Sequence, residues 1–212
     1  MAMVNGRPFL AHLMDYWLGQ GISHFILSVG YLKEVIIQHF GNTYQGADIE
    51  YVVEESPLGT GGGALLASKD LDLDEYFVLL NGDTFFNVDT ELMSACLKKS
   101  DADVCFALFR APEANRFGRI DCDEFGEINS LSQAKAEVGE LANGGVYLLR
   151  RRALLQEPAK TSRKISLEDE IFPMSLEAGR RFFGVEFDGT FIDIGVPLDY
   201  QRASRILGGA TT

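Results

Sequence analysis

Cysteine, histidine and positive charge are all scarce in this chain of 212 residues, and each shortage excludes a class of protein. Its three cysteines, Cys96, Cys105 and Cys122, are odd in number and lack CxxC spacing, which argues against a disulfide framework or a zinc site and fits a reducing cytoplasm. His12, His24 and His39 match no motif and read as ordinary surface or core residues. With 19 basic against 31 acidic residues the formal charge is −12, so a broad nucleic-acid or anionic-membrane surface is disfavoured. An anionic ligand would have to be met by locally placed Lys or Arg, by backbone N–H groups or by a cation. No run reaches the roughly 18 apolar residues that a bilayer span needs, and no basic stretch with an apolar signal core opens the chain. Repeats, low-complexity tracts and linkers are missing too, so residues 1–212 read as a single domain.

What is present is an alternation of helical and strand-like segments. Behind Pro8, the residues Phe9, Leu10, Leu13, Met14, Trp17 and Leu18 share one helical face, which ends at Gly19 and Gly21. Strands are expected at 24–29, 49–53, 76–80 and 103–109, and helices at 32–40, just after Gly61, Gly62 and Gly63, and at 90–99. This order predicts a three-layer, Rossmann-like α/β fold with a mostly parallel central sheet and helices on both faces. The second half adds antiparallel strands: 119–123 and 127–131 flank a turn at Glu124, Phe125 and Gly126, and 145–149 is a further strand. The sheet is therefore expected to be mixed, with a small β-rich insertion. A helix at 167–178, strands at 181–187 and 191–194, and a helix from Pro197 complete the chain.

Three segments carry chemistry. In ESPLGTGGGALLA (55–67), Gly59 and Gly61 to Gly63 allow close backbone approach to a ligand or make a tight turn, and the spacing matches neither GxGxxG nor GxxxxGK[ST]. In VLLNGDTFF (78–86), an apolar strand ends in Asn81, Gly82 and the carboxylate Asp83. In FIDIGVPLDY (191–200), Asp193 lies on a short apolar strand before Gly195 and Pro197. Two aspartates from different strands could hold a hard cation such as Mg²⁺ while phosphates and waters complete its oxygen shell; alternatively, each caps a neighbouring turn.

PLGTGGG, LLNGDTFF, RFGRIDCDEFGEI, LANGGVYLL, SLEDEIFP and FIDIGVPLDY occur in the order found in sugar-1-phosphate nucleotidylyltransferases, and the chain resembles that family throughout. Within it, VGYLKEVIIQHFG and SLEDEIFP are most similar to the guanylyltransferases that act on D-glycero-D-manno-heptose 1-phosphate. The resemblance implies Asp83 and Asp193 as Mg²⁺ ligands, with Pro57, Leu58, Gly59 and Thr60 at the nucleoside. It implies Asn81, Gly82, Gly118, Asn143 and Gly144 near the sugar and Glu168 as acceptor for its hydroxyls. Lys135 stands where a family lysine meets the sugar phosphate, although Ala134 replaces the common preceding glutamate, and Arg163 and Lys164 are rival phosphate partners. The implied substrates are a nucleoside triphosphate and a sugar 1-phosphate, with no nucleic acid or membrane partner and a homo-oligomer left open.

The chain opens at MAMVNGRPFL, which resembles the family segment immediately after PKP. The family's first strand, its GGxGTR loop and PKP, with the principal triphosphate-binding arginine and lysine, are expected to be missing from residues 1–212. Three functional readings are open: a nucleotidylyltransferase, a catalytically silent relative acting as a binding or regulatory subunit, or a nucleotide-sugar glycosyltransferase, which would ordinarily carry a DxD-like motif. Residues 1–212 alone are expected to fold, with reduced stability, but not to turn over, weak binding of Mg²⁺ and sugar phosphate being left open, and to make nucleotide sugar once a GGxGTR…PKP segment precedes them. Pyrophosphate release from the two forms checks this; equal rates would mean that another part of the chain replaces the loop.

Overall fold

The apolar stripe behind Pro8 does form a helix, and the physical role of Pro8 is to stop the preceding ribbon rather than to begin the helix. Its φ of −56° and lack of an N–H suit the N-cap, and the next amide, Phe9 N, bonds Ala2 O at 2.9 Å. The computed structural model describes residues 1–70, 75–154 and 163–208. In chain order, the elements begin with β1 (Met3–Val4), β2 (Arg7–Pro8), α1 (Phe9–Gly19), β3 (His24–Val29), α2 (Lys33–Phe40), β4 (Thr43–Tyr44) and β5 (Ala47–Val53). They continue with α3 (Gly59–Asp70), β6 (Tyr76–Leu80), β7 (Thr84–Phe86), α4 (Thr90–Ser100), β8 (Val104–Arg110), β9 (Gly118–Cys122) and β10 (Ile128–Lys135). The last are β11 (Leu141–Arg150), a wide π turn at Leu167–Ile171, α5 (Phe172–Glu177), β12 (Phe182–Glu186), β13 (Phe191–Asp193) and α6 (Pro197–Gly208). No helix among the described residues is long and apolar enough to cross a membrane.

Two units divide the chain. The first comprises Met1–Pro57, Gly82–Phe85 and Thr190–Thr212. In α1, the i, i+4 row Phe9, Leu13 and Trp17 is buried with Ala11 and Met14, while Leu10 and Leu18 sit half-buried at the edges of the stripe. β3 runs parallel to β5, from His24 opposite Asp48 to Val29 opposite Val53, and α2 makes the crossover between them. α6 is tied to the first strand: the Tyr200 hydroxyl donates to Met3 O at 2.9 Å and accepts from Met3 N at 3.2 Å.

The second unit comprises Leu58–Asn81 and Phe86–Gly189. β8 is central: it pairs antiparallel with β11 and parallel with β12. Every residue from Val104 to Phe109 is buried, the unbroken apolar run expected of a strand covered on both faces. β11 also pairs antiparallel with β6, and β9 and β10 form the expected hairpin. Beneath the sheet, Phe106, Tyr147, Phe172 and Phe182 make an aromatic cluster. Ring centroids stand 4.9 Å apart for Phe106–Tyr147, 5.0 Å for Phe106–Phe172 and Tyr147–Phe172, and 5.5 Å for Phe172–Phe182. The edge-on pairs among these, Phe106–Tyr147, Tyr147–Phe172 and Phe172–Phe182, let the positive rim of one ring meet the negative face of the next.

The mixed α/β class matches the expectation from alternation, but its balance is less parallel. Among the described ladders of these sheets, β3·β5 and β8·β12 are parallel, because β11 lies between β6 and β8 and runs against both. The helix expected after the glycines instead includes them, since α3 starts at Gly59. The helix expected at 167–178 begins with the π turn, where Ile171 N reaches back to Ser166 O at 3.2 Å. Phe172, 1% exposed, fills the centre of the aromatic cluster. Phe172→Ala should therefore destabilise the protein by about 3–5 kcal/mol, read as a lowered urea midpoint with unchanged slope.

Candidate functional site

In the first unit, β7 and β13 pair, and the ladder continues past β13 as Ile194 N donates to Asp83 O at 2.9 Å. This brings Asp83 and Asp193 to neighbouring strand ends. The Thr84 hydroxyl donates to Asp83 Oδ1 at 3.3 Å, and Gly195 N donates to Asp193 Oδ1 at 2.9 Å. A Cβ placed on Gly195 would stand 3.0 Å from Asp193 Oδ1 and 3.3 Å from Asp83 Oδ2. Both carboxylates thus border the space that the missing side chain leaves. Among the described residues no group of three or more His, Cys, Asp or Glu forms a fuller cage. Two hard oxygen donors beside an open space suit a cation that keeps waters and substrate oxygens, as Mg²⁺ does, better than a zinc or calcium site with a complete protein shell.

In the second unit, the glycine-rich segment packs onto the chain's own backbone. Ile165 N donates to Leu58 O at 2.8 Å, and Gly61 N donates to Ile165 O at 3.0 Å, so part of the start of α3 is satisfied internally. Gly59 has φ +78°, and a Cβ there would lie 2.5 Å from Ile165 O; one on Gly61 would lie 2.6 Å from Ile171 Cδ1. The absent side chains at these two positions make room for residues 165–171. Thr60, next in line, remains exposed at its surface.

Thr60 meets the π turn through its side chain: its hydroxyl donates to Glu168 Oε2 at 2.8 Å and accepts from Leu167 N at 2.9 Å. The Tyr147 hydroxyl donates to the other oxygen, Glu168 Oε1, at 3.1 Å and accepts from Asn143 Nδ2 at 2.7 Å. Asn143 Oδ1 in turn accepts from Gly145 N at 3.0 Å, which fixes the orientation of the amide. Burial, followed by the neighbouring Glu168 charge, holds the Tyr147 phenol well above its ordinary pKa, so it stays a donor to that carboxylate. Asn81 joins the same region: its N–H donates to Gly145 O at 3.1 Å.

Gly118 and Lys135 are cross-strand partners at the end of the β9–β10 hairpin, and Arg119, the neighbour of Gly118, pairs with Ala142, the neighbour of Asn143. Lys135 and Lys164 are exposed and make no ion pair with the described residues. Arg163 differs, because its guanidinium is bound to Glu170 Oε2 at 2.6 Å. Hydrogen bonds from Arg163, then from the Ser166 backbone, hold the Glu170 carboxyl below its ordinary value. Pro57 and Gly82 are exposed in the first unit, while Leu58 and Gly144 belong to the second. Sequence reasoning did not single out Tyr147, Ser166 or Ile165. Tyr147 sits inside the apolar run VYLL and reads as one more core residue, and nothing local marks the partners of its hydroxyl.

A protein-family model described as nucleotidyl transferase matches residues 1–208, and the chain belongs to that family. Over 207 residues it is 35% identical to a D-glycero-alpha-D-manno-heptose 1-phosphate guanylyltransferase of Aneurinibacillus thermoaerophilus, covering 98% of this chain and 88% of that protein. Identity to the Campylobacter jejuni protein of the same name is 36% over 206 residues, covering 95% and 87%. Among solved structures, HddC from Yersinia pseudotuberculosis complexed with GMP-PN matches with a TM-score of 0.82 at 28% identity, over 97% of this chain and 88% of that one. The chain is thus an enzyme of nucleotidyl transfer to a sugar 1-phosphate.

The packing of Gly59 generates its own test. Gly59→Ala combines a left-handed backbone with a Cβ 2.5 Å from a backbone oxygen that cannot swing away. It should cost about 1–3 kcal/mol or more of stability, measured by chemical denaturation. Gly6→Ala shares the positive φ, at +75°, with nothing within 4 Å of its Cβ, and should cost less.

Proposed function

We propose that this enzyme transfers a guanylyl group from GTP to D-glycero-D-manno-heptose 1-phosphate, releasing pyrophosphate. The observation that carries this substrate assignment is the 35% and 36% identity to two heptose 1-phosphate guanylyltransferases across nearly the whole chain. The GMP-PN of the related structure supports the guanine nucleotide. In this reading, a sugar-phosphate oxygen attacks the α-phosphorus of GTP. A new P–O bond forms, the bond to the β-phosphate oxygen breaks, and pyrophosphate leaves with the electron pair. No general base is needed, because a phosphate monoester with a second pKa of about 6 is already largely ionised at neutral pH. Positioning and charge neutralisation are what remain for the protein to supply.

Residues 1–212 serve this reaction as one nucleotidyltransferase domain. The loop at Pro57, Leu58, Gly59 and Thr60 receives the nucleoside. Asn81, Gly82, Gly118, Asn143 and Gly144 line the approach of the sugar, and the Glu168 carboxylate accepts hydrogen bonds from its hydroxyls. Lys135 and Lys164, both exposed, meet the sugar phosphate; Arg163 is the weaker candidate, being paired with Glu170. Asp83 and Asp193 would hold Mg²⁺, which when bound offsets the mutual repulsion of the reacting phosphates.

The metal assignment is tested with Asp83→Asn and Asp193→Asn in the chain preceded by a GGxGTR…PKP segment. Each asparagine keeps an oxygen for the local hydrogen bond, so the fold should persist while pyrophosphate release falls roughly tenfold or more. Near-normal rates in both variants would remove the assignment, and unfolding would instead make the aspartates structural caps. A panel of triphosphates and sugar 1-phosphates addresses the substrates, with GTP and the heptose expected as the preferred pair. Preference for UTP or dTTP with glucose 1-phosphate would keep the family and discard the heptose.

A further inference from the structure

We propose that Thr60 and Tyr147 act as a pair of positioning residues that clamp the two oxygens of Glu168, so that the Thr60 side chain serves sugar recognition although its backbone belongs to the nucleoside loop. The proposal rests on the reading of Glu168 as the acceptor of the sugar hydroxyls.

Glu168 lies on a π turn, where a long carboxylate side chain has several rotamers to choose from. Two hydroxyls from different elements remove that choice. Thr60, in the first turn of α3, donates to Oε2 at 2.8 Å, and Tyr147, on β11, donates to Oε1 at 3.1 Å. Each hydroxyl is itself fixed by a donor on its far side: Leu167 N reaches Thr60 Oγ1 at 2.9 Å, and Asn143 Nδ2 reaches Tyr147 Oη at 2.7 Å. A hydroxyl has a single proton. Since Thr60 gives its proton to Glu168, it has none for a nucleoside acceptor, and its work as a donor passes through the carboxylate. Oε1 keeps a further lone pair after the clamp forms, while Oε2 also stands 3.4 Å from the Ser166 hydroxyl, so the held group still accepts from a ligand hydroxyl through Oε1. Tyr147 extends the arrangement to Asn143, placing two of the proposed sugar-contacting side chains, Asn143 and Glu168, under the control of one phenol.

Steady-state kinetics of Thr60→Val, Tyr147→Phe, Thr60→Ser and Glu168→Gln, in the chain preceded by the GGxGTR…PKP segment, test this. Thr60→Val and Tyr147→Phe should each raise the KM for the sugar 1-phosphate about threefold to tenfold, the effect of losing one hydrogen bond, with the KM for GTP little changed. Thr60→Ser restores the hydroxyl and should return the sugar KM toward the parent value. A rise confined to the GTP KM in Thr60→Val would overturn the proposal by making that hydroxyl a nucleoside contact. If Glu168→Gln raises the sugar KM while Thr60→Val and Tyr147→Phe do not, the clamp is wrong and the sugar role of Glu168 stands. If Glu168→Gln also leaves the sugar KM unchanged, the underlying reading fails and takes the clamp with it. Tyr147→Phe keeps the ring in the aromatic cluster and carries the same test should Thr60→Val unfold.

Discussion

Tyr147 joins the apolar and polar halves of the second unit in one side chain. Its ring is fully buried against Phe106 and Phe172, and its hydroxyl bonds Asn143 and Glu168. A phenol of this kind contributes the large apolar area of a core aromatic, yet leaving its hydroxyl without a partner would cost about 1–3 kcal/mol. Packing and polar geometry therefore constrain each other. The aromatic cluster fixes the ring, the ring fixes the oxygen, and the oxygen holds one side of Glu168. Thr60 holds the other side, in a helix whose first turn can approach only because Gly59 and Gly61 leave room for Ile165 and Ile171.

The first unit uses a different device. Asp83 and Asp193 are brought together by backbone pairing of two short strands and by the absence of a side chain at Gly195. Like charges repel, and here that repulsion is tempered because Asp83 is exposed and Asp193 is only partly buried. Main-chain hydrogen bonds set the position, leaving carboxylate oxygens directed at a shared space. In the proposed function, carboxylates positioned by this backbone pairing would hold a cation that comes with its substrate.

Charge economy bears on the proposed cation. The chain carries −12 overall, and many of its arginines are engaged with its own carboxylates: Arg7 with Asp15, Arg110 with Glu186, Arg163 with Glu170 and Arg181 with Glu127. Such exposed pairs contribute little stability each, but they withdraw positive charge from other use. Binding polyphosphate and sugar phosphate against this background calls for local devices, which in the proposed function would be a bound cation and the exposed Lys135 and Lys164.

The sequence by itself determined the long elements and the local character of the site. The i, i+4 stripe of α1, the apolar runs of β6 and β8, and the glycine turn between β9 and β10 express short-range periodicity, so they were legible one segment at a time. Asp83 and Asp193 stood out for the same reason, as carboxylates closing short apolar strands. Tertiary structure alone decided that β11 would run against both β6 and β8, that the helix would start at Gly59, and that the turn after Ser166 would widen. It also decided that Tyr147, hidden in an apolar run, would hold Glu168 against Thr60, 108 residues away in sequence from that carboxylate. Strand direction, glycine contacts and hydroxyl partners are set by segments far apart in the chain, and no local pattern encodes them.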